Sequence, residues 1–152
     1  MPSISYDSVY KRALSRIKDL ELATYVEADF YDSLREWLYG ATASPLFRKK
    51  FQSFSLDDEI MTITFEITNS VDDEFDKNFV TGILAKGLII NYLPSKLEST
   101  KNMAVALGGK EEKVLLNTYS KNMERLDQLK KEYDLELSRH SWYFGEYGES
   151  NG

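Results

Sequence analysis

Hydrophobic positions recur along this chain in two different periods, and each change of period marks an element. Val9, Ala13 and Ile17 stand four residues apart, flanked by Tyr10 and Leu14. That spacing predicts an amphipathic helix. Ser5 is its candidate N-cap, and Asp7 suits the positive end of the helix dipole. Lys11, Arg12, Arg16 and Lys18 extend the same helix with charge. Val26, Phe30, Leu34, Trp37, Leu38 and Ala41 repeat at helical spacing and predict a second helix. Thr24 and Glu27 have capping-box spacing at its start. Ser44 and Pro45 stop it, because a residue before proline avoids the α region.

The period then drops to two. Met61, Ile63, Phe65 and Ile67 alternate with Ile60, Thr62, Thr64 and Glu66, which predicts a strand rich in β-branched residues. The stretch KKFQSFSL upstream is a candidate hairpin partner across Asp57 and Asp58. A lone strand needs a partner from elsewhere, such as another subunit.

A third helix is expected from near Ser70–Asp72, with acidic residues in its first turn. Phe75, Phe79, Val80, Ile83, Leu84, Leu88, Ile90 and Leu93 cover more than half of its circumference, so it should be buried on several sides. Gly82 and Gly87 weaken it locally but admit close neighbours. Pro94 is expected to end it. A connection follows, with a short helix around residues 103–107 and Gly108 as its C-terminal stop. The last helix is predicted over about residues 111–138. Leu115, Tyr119, Leu126, Leu129, Tyr133 and Leu137 form a stripe near seven-residue recurrence. The expected fold is mainly α: a helical bundle with a long C-terminal helix and a small β-hairpin or strand insertion around residues 50–68. Residues 1–138 would form a single domain, and 139–152 an aromatic C-terminal tail.

Composition narrows the chemistry. The 152 residues suit one domain, and no apolar run approaches the roughly 18 residues of a membrane span. The first residues lack the basic and apolar regions of a signal peptide, so a cytosolic protein with no membrane partner is expected. Cysteine is absent, which removes disulfides, thiol chemistry and the usual structural zinc sites. His140 is the only histidine, so a chain-internal histidine pair for a metal cannot form. A net charge of −6 disfavours wrapping nucleic acid but suits a passage along which DNA must not stick.

No catalytic constellation emerges, and no enzyme, cofactor or metal is expected. Gly108, Gly109 and Lys110 imitate a phosphate loop, but Ala104 stands where its first glycine belongs and no strand precedes it. Eight acidic residues, among them Asp57, Asp58, Glu59, Asp72, Asp73 and Glu74, lie between 57 and 76 without a Lys or Arg. They read as a solvated loop, or as an acidic patch facing a charged partner or a DNA channel. The run Asp72–Asp76 lacks the ligand alternation of a calcium loop, so helix N-terminal charge explains it better.

The end of the chain, RHSWYFGEYG, crowds aromatics around His140. His140 continues the recurrence of Tyr119, Leu126 and Tyr133, so it is expected in the last helical turn, where a cation suits the dipole. Trp142, Tyr143, Phe144 and Tyr147 read as a docking tail, with Tyr133 and Leu137 as further docking candidates. The alternative is a small cytosolic ligand-binding or regulatory domain with its site at His140.

Several segments together resemble a family of head-tail connector (adaptor or neck) proteins of tailed bacteriophages. They are SYDSVYKRALSRIKD at the start, SVDDEFDKNFVTGILAKGLIINYLP in the middle, ALGGKEEKVLLNTYSKNMERLDQLKKEYDLEL after it, and SWYF near the end. The resemblance touches nearly the whole length, through packing and capping patterns. It implies a mostly α-helical structural virion protein at the head-tail junction, made in the host cytoplasm. It implies a homo-oligomeric ring, commonly a dodecamer, beneath the portal protein. Such a ring extends the channel for double-stranded DNA without reading sequence, and docks the next neck or tail protein. The acidic residues from 57 to 76 become candidates for the channel wall or an inter-subunit contact. The strand at EIMTITFEIT departs from the family picture, where other members look helical or irregular there.

Overall fold

The computed structural model describes residues 1–19 and 28–144. The fold is mainly α with a small sheet, as the periodicity predicts. A short strand, β1 (Ser3–Ser5), runs directly into α1 (Tyr6–Asp19). Ser5 caps α1: its Oγ accepts the backbone N–H of Ser8 at 3.1 Å. Then come α2 (Ala28–Thr42), the single turn α3 (Pro45–Arg48), and the strands β2 (Phe51–Asp57) and β3 (Thr62–Ile67). Two long helices complete the chain, α4 (Asp73–Leu107) and α5 (Gly109–Phe144). The capping box expected at Thr24 and Glu27 lies outside the described residues.

The hairpin forms within the chain. β3 is the central strand of an antiparallel sheet ordered β1-β3-β2, with Phe54 opposite Phe65 and Ile4 opposite Ile63. Both edges of β3 are therefore taken by this chain, and pairing with a neighbour's strand through β3 is ruled out. The register shifts between Phe51 and Ser53, a β-bulge that lets Phe51 meet Ile67. Ile63, Phe65 and Ile67 are buried on one face. Phe47, Phe51, Phe54 and Phe65 interlock there, with ring centroids 4.8–5.9 Å apart. That is the range in which tilted and edge-on aromatic pairs attract. Sequence patterning found β2 and β3 but not β1, because three residues cannot display a period.

α4 is the central post. Val80, Ile83, Leu84, Leu88, Ile89 and Leu93 are fully buried around it, as a helix apolar over most of its circumference must be. α1, α2 and α5 all pack on it. Gly87 makes the closest approach: a Cβ there would stand 2.7 Å from the Cβ of Ala41 on α2 and 3.5 Å from the ring of Tyr133 on α5.

Pro94 does not end this helix; α4 continues to Leu107 and absorbs the short helix expected at 103–107. Proline costs a helix about 3 kcal/mol in isolation, through one missing hydrogen bond and a steric clash. Tertiary burial of Tyr92, Leu93 and Leu97 on either side of it offsets that cost. The real stop is Gly108, with φ 65°, whose N–H donates to the oxygen of Ala104 at 3.0 Å.

α4 and α5 thus form one antiparallel hairpin of helices, 35 and 36 residues long. Each spans roughly 53 Å at 1.5 Å per residue. The seam on α5 is Asn122, Leu126, Leu129, Tyr133, Leu137 and His140, all buried. Leu115 and Tyr119 continue it, half-buried. Beyond Leu97 on α4 and before Asn122 on α5, only Ala104 is buried. The end of the hairpin therefore projects from the core as an arm.

Candidate functional site

The acidic residues singled out in the sequence do not form one surface. β3 separates them into two groups, about 20 Å apart at 3.3 Å per residue. Asp57 turns the chain: its Oδ1 accepts the N–H groups of Glu59 and Ile60 at 3.0 and 3.4 Å. Asp58 is a tether. It accepts the Tyr6 hydroxyl from α1 at 2.7 Å and the Tyr39 hydroxyl from α2. The hydrogen bonds from Tyr39 and then Tyr6 hold the Asp58 carboxyl below the usual carboxylate range. Burial, reinforced by Asp58, pushes the Tyr6 hydroxyl well above its ordinary value. At the other group, Asp72 caps α4 by accepting the Phe75 N–H at 2.7 Å. Asp76 points inward, accepting Ser70 Oγ at 2.5 Å and the Val71 N–H at 3.1 Å. Glu59, Asp73 and Glu74 stay exposed to solvent.

Asp58 predicts a pH dependence at both ends of the scale. Its folded pKa lies below the unfolded one, so its contribution is present above the ordinary carboxylate range and is lost as pH falls through the folded value. The Tyr6 hydroxyl has a raised folded pKa, so its contribution is present below about 10 and is lost as pH rises above that. Asp58→Asn should lower the melting temperature at neutral pH and flatten its acid limb, and Tyr6→Phe should flatten the alkaline limb. Thermal melts across pH check both; unchanged limbs would remove the tether from the account.

Two docking candidates are corrected by the fold. Tyr133 and Leu137 are 8% and 2% exposed, turned into the α4 seam, so they hold the hairpin together and cannot meet a partner. The aromatic tail is also relocated. α5 does not end at Ser138 but runs through Phe144, so the boundary expected at residue 139 falls inside a helix. Trp142, Tyr143 and Phe144 stand on its last turn; the packing of their side chains, and Tyr147 altogether, lie outside what is described.

His140 is not a solvent-facing cation on the dipole. It is 2% exposed, and its ring stacks on Phe79 of α4, centroids 4.3 Å apart and 26° from parallel. Burial lowers its pKa first; nearby Lys50 lowers it further, and Asp76 opposes the shift. The neutral ring is thus favoured in the fold, where it packs as an aromatic side chain. It lines none of the described cavities.

A cavity of about 340 Å³ does open beside α1, α4 and α5. Phe75, Phe79 and Ile89 form apolar walls, and Arg12, Arg16 and Lys86 bring charge to them. Most of that charge is matched. Arg16 pairs with Glu132 at 3.2 Å, and Lys86 with Glu136 and with Glu132 at 3.6 Å. Arg12 donates to the backbone oxygen of Asn78 at 3.0 Å and to its Oδ1 at 2.9 Å, both neutral acceptors. Among the described residues, no group of three or more Asp, Glu, His or Cys could hold a metal ion.

The arm and one turn carry what sequence reasoning passed over. Met103, Val105, Leu107 and Val114 are 53%, 71%, 58% and 63% exposed at the arm end. Ile60 and Met61 are exposed at the β2–β3 turn. The available signal was the helical spacing that continues through Leu97 and Ala104, past Pro94. It implies a second long helix, and hence an arm too thin to bury its own apolar residues. No family model, curated protein or solved structure matches this chain, so neither the fold nor the arm is assigned to a family by comparison.

Proposed function

We propose that this chain is a structural assembly subunit of a tailed-phage neck, a head-tail connector that forms a ring beneath the portal. One observation carries the reading: a two-helix arm projects from the core with large apolar residues exposed at its end. Isolated soluble domains rarely group such residues without a partner for them. The resemblance of several segments, in their order, to connector proteins supports the same reading, and implies the ring, commonly of twelve copies. The net charge of −6 suits a channel that passes double-stranded DNA without holding it. The portal protein above and a neck or tail protein below are its expected partners.

Cryo-electron microscopy of virion necks tests this directly. A ring below the portal into which α4 and α5 fit is the expected result; a neck whose density excludes this chain overturns it. Deletion of residues 141–152, which removes the aromatic docking candidates Trp142, Tyr143, Phe144 and Tyr147, should leave filled heads unjoined to tails.

Arg12 at the mouth of that cavity favours a second reading, a small-ligand domain whose ligand is an anion with an apolar body, held at Arg12 rather than at His140. Calorimetry with aromatic carboxylates and phosphates, on the protein and on Arg12→Ala, tests it. Binding lost in the variant supports it, and no heat in either removes it.

A further inference from the structure

Two exposed apolar features, set apart on the molecule, carry charge of opposite sign. The first is at the arm end, where Met103, Leu107, Lys110, Glu111, Val114 and Leu115 line an open notch of about 320 Å³ between the helices. Residues 101–121 carry Lys101, Lys110, Lys113 and Lys121 against only Glu111 and Glu112. The arm end is therefore cationic in a chain whose net charge is −6.

The second is the β2–β3 turn. Ile60 is 68% exposed and Met61 is 38% exposed, directly after Asp57, Asp58 and Glu59. Met61 has φ 51°, the left-handed region, where a large L-residue costs on the order of 1 kcal/mol and turns usually place Gly or Asn. The turn is held rigidly all the same. Tyr6 and Tyr39 grip Asp58, and the Tyr6 N–H donates to the Met61 oxygen at 2.9 Å. It is an apolar knob with an acidic base, preformed at little further entropic cost.

This knob and this notch stand too far apart to meet within one copy. α2 runs antiparallel to α4, with Trp37 beside Tyr92 and Ala41, one turn on, beside Gly87. Tyr39, which holds the turn, therefore stands near the level of Ile89 on α4. The notch begins at Met103, roughly 20 Å farther along at 1.5 Å per residue.

We infer that the β2–β3 turn of one copy seats in the arm notch of the next. Ile60 enters between the helices, and Lys101 and Lys110 face Glu59 and Asp57. A contact between two different patches of one chain is heterologous; repetition closes a ring where the rotation allows and otherwise runs on as a filament. The inference rests on the ring reading above and gives it a specific joint.

The chain has no cysteine, so a disulfide trap reads the contact cleanly. Ile60→Cys and Val114→Cys in one chain, oxidised at high concentration, should give a ladder of dimers, trimers and larger species on non-reducing gels. Each single variant should stay monomeric. Adding Lys101→Glu and Lys110→Glu should cut the ladder roughly tenfold at low salt, since like charges then face each other, and Glu59→Lys in the same chain should restore it. All these positions are exposed, and circular dichroism checks that the helices persist. A missing ladder, a ladder blind to the charge swap, or dimers from Val114→Cys alone would overturn the joint. The two readings fail separately. A neck ring without the ladder removes only this contact, whereas a ladder without a neck ring keeps the contact and removes the connector.

Discussion

Gly87→Leu is expected to destabilise the fold by about 3 kcal/mol, at the upper end of the usual overpacking cost, and to push α2 off α4. A Cβ at position 87 already meets the Ala41 Cβ at 2.7 Å, closer than real side chains approach, and a leucine must also displace the Tyr133 ring. Three helices meet at this point, so relief on one side crowds the other. Even Gly87→Ala should lose stability, although alanine gains about 1 kcal/mol of helix propensity over glycine. Ala41→Gly removes the clashing atom, so in the Gly87→Ala background it should recover part of the loss. A double-mutant cycle by urea denaturation measures this, with a coupling of about 1 kcal/mol or more expected for residues in direct contact. Additive losses would mean that α2 and α4 do not touch there.

His140→Ala is expected to cost about 3 kcal/mol, the loss typical for truncating a buried aromatic ring. That corresponds to roughly 6–12 °C in melting temperature for a chain of this size. The ring fills space against Phe79 at the base of the hairpin, far from the arm. Its ionisation adds a signature that shape alone lacks. The folded pKa is depressed below the ordinary histidine value, chiefly by burial. The unfolded chain therefore takes up a proton first as pH drops. The histidine's contribution is present above about pH 6.5 and is lost as pH falls through the folded value. Lys50 and Asp76, the charges that act on the ring, are unchanged by substitution at 140. His140→Phe should keep most of the stability at pH 7.5 and lose the decline that sets in below about pH 6.5. Equal pH profiles for the two proteins would mean that the histidine takes up its proton as readily in the fold as in the unfolded chain.

The arm and the core ask different things of the same helices. Below Leu97, α4 is wedged among α1, α2 and α5, and its side chains are spent on burial. Above it, two helices face only each other, and a two-helix layer cannot hide the apolar residues on its outer sides. Met103, Leu107 and Val114 are exposed for that geometric reason.

Local pattern was enough for the elements whose signal is local. The four-residue steps of Val9, Ala13 and Ile17 and the cap at Ser5 placed α1. The alternation of Ile63, Phe65 and Ile67 placed β3, and the apolar circumference from Val80 to Leu93 marked α4 as the buried post. Gly108 was legible as a stop, since a residue at positive φ is set by backbone sterics alone. The heptad-like stripe of α5 was legible too, including the place of His140 within it.

What the pattern could not carry were properties that depend on residues distant in the chain. Pro94 is a stop by local rules, and only the burial of Leu93 and Leu97 against other elements carries the helix past it. Tyr133 and Leu137 look the same in sequence whether they face a partner or α4. Asp58 looks like part of an acidic run until Tyr6, 52 residues away, and Tyr39 close on it. His140 has an ordinary ionisation until Phe79 and the core remove its water. The sequence by itself therefore determined most of the helices, the β2–β3 hairpin and which face of each is apolar, because those follow from steric preference and period. Only the tertiary structure decided which apolar faces are core and which are left outside, because burial belongs to pairs of surfaces, and neither surface specifies the other.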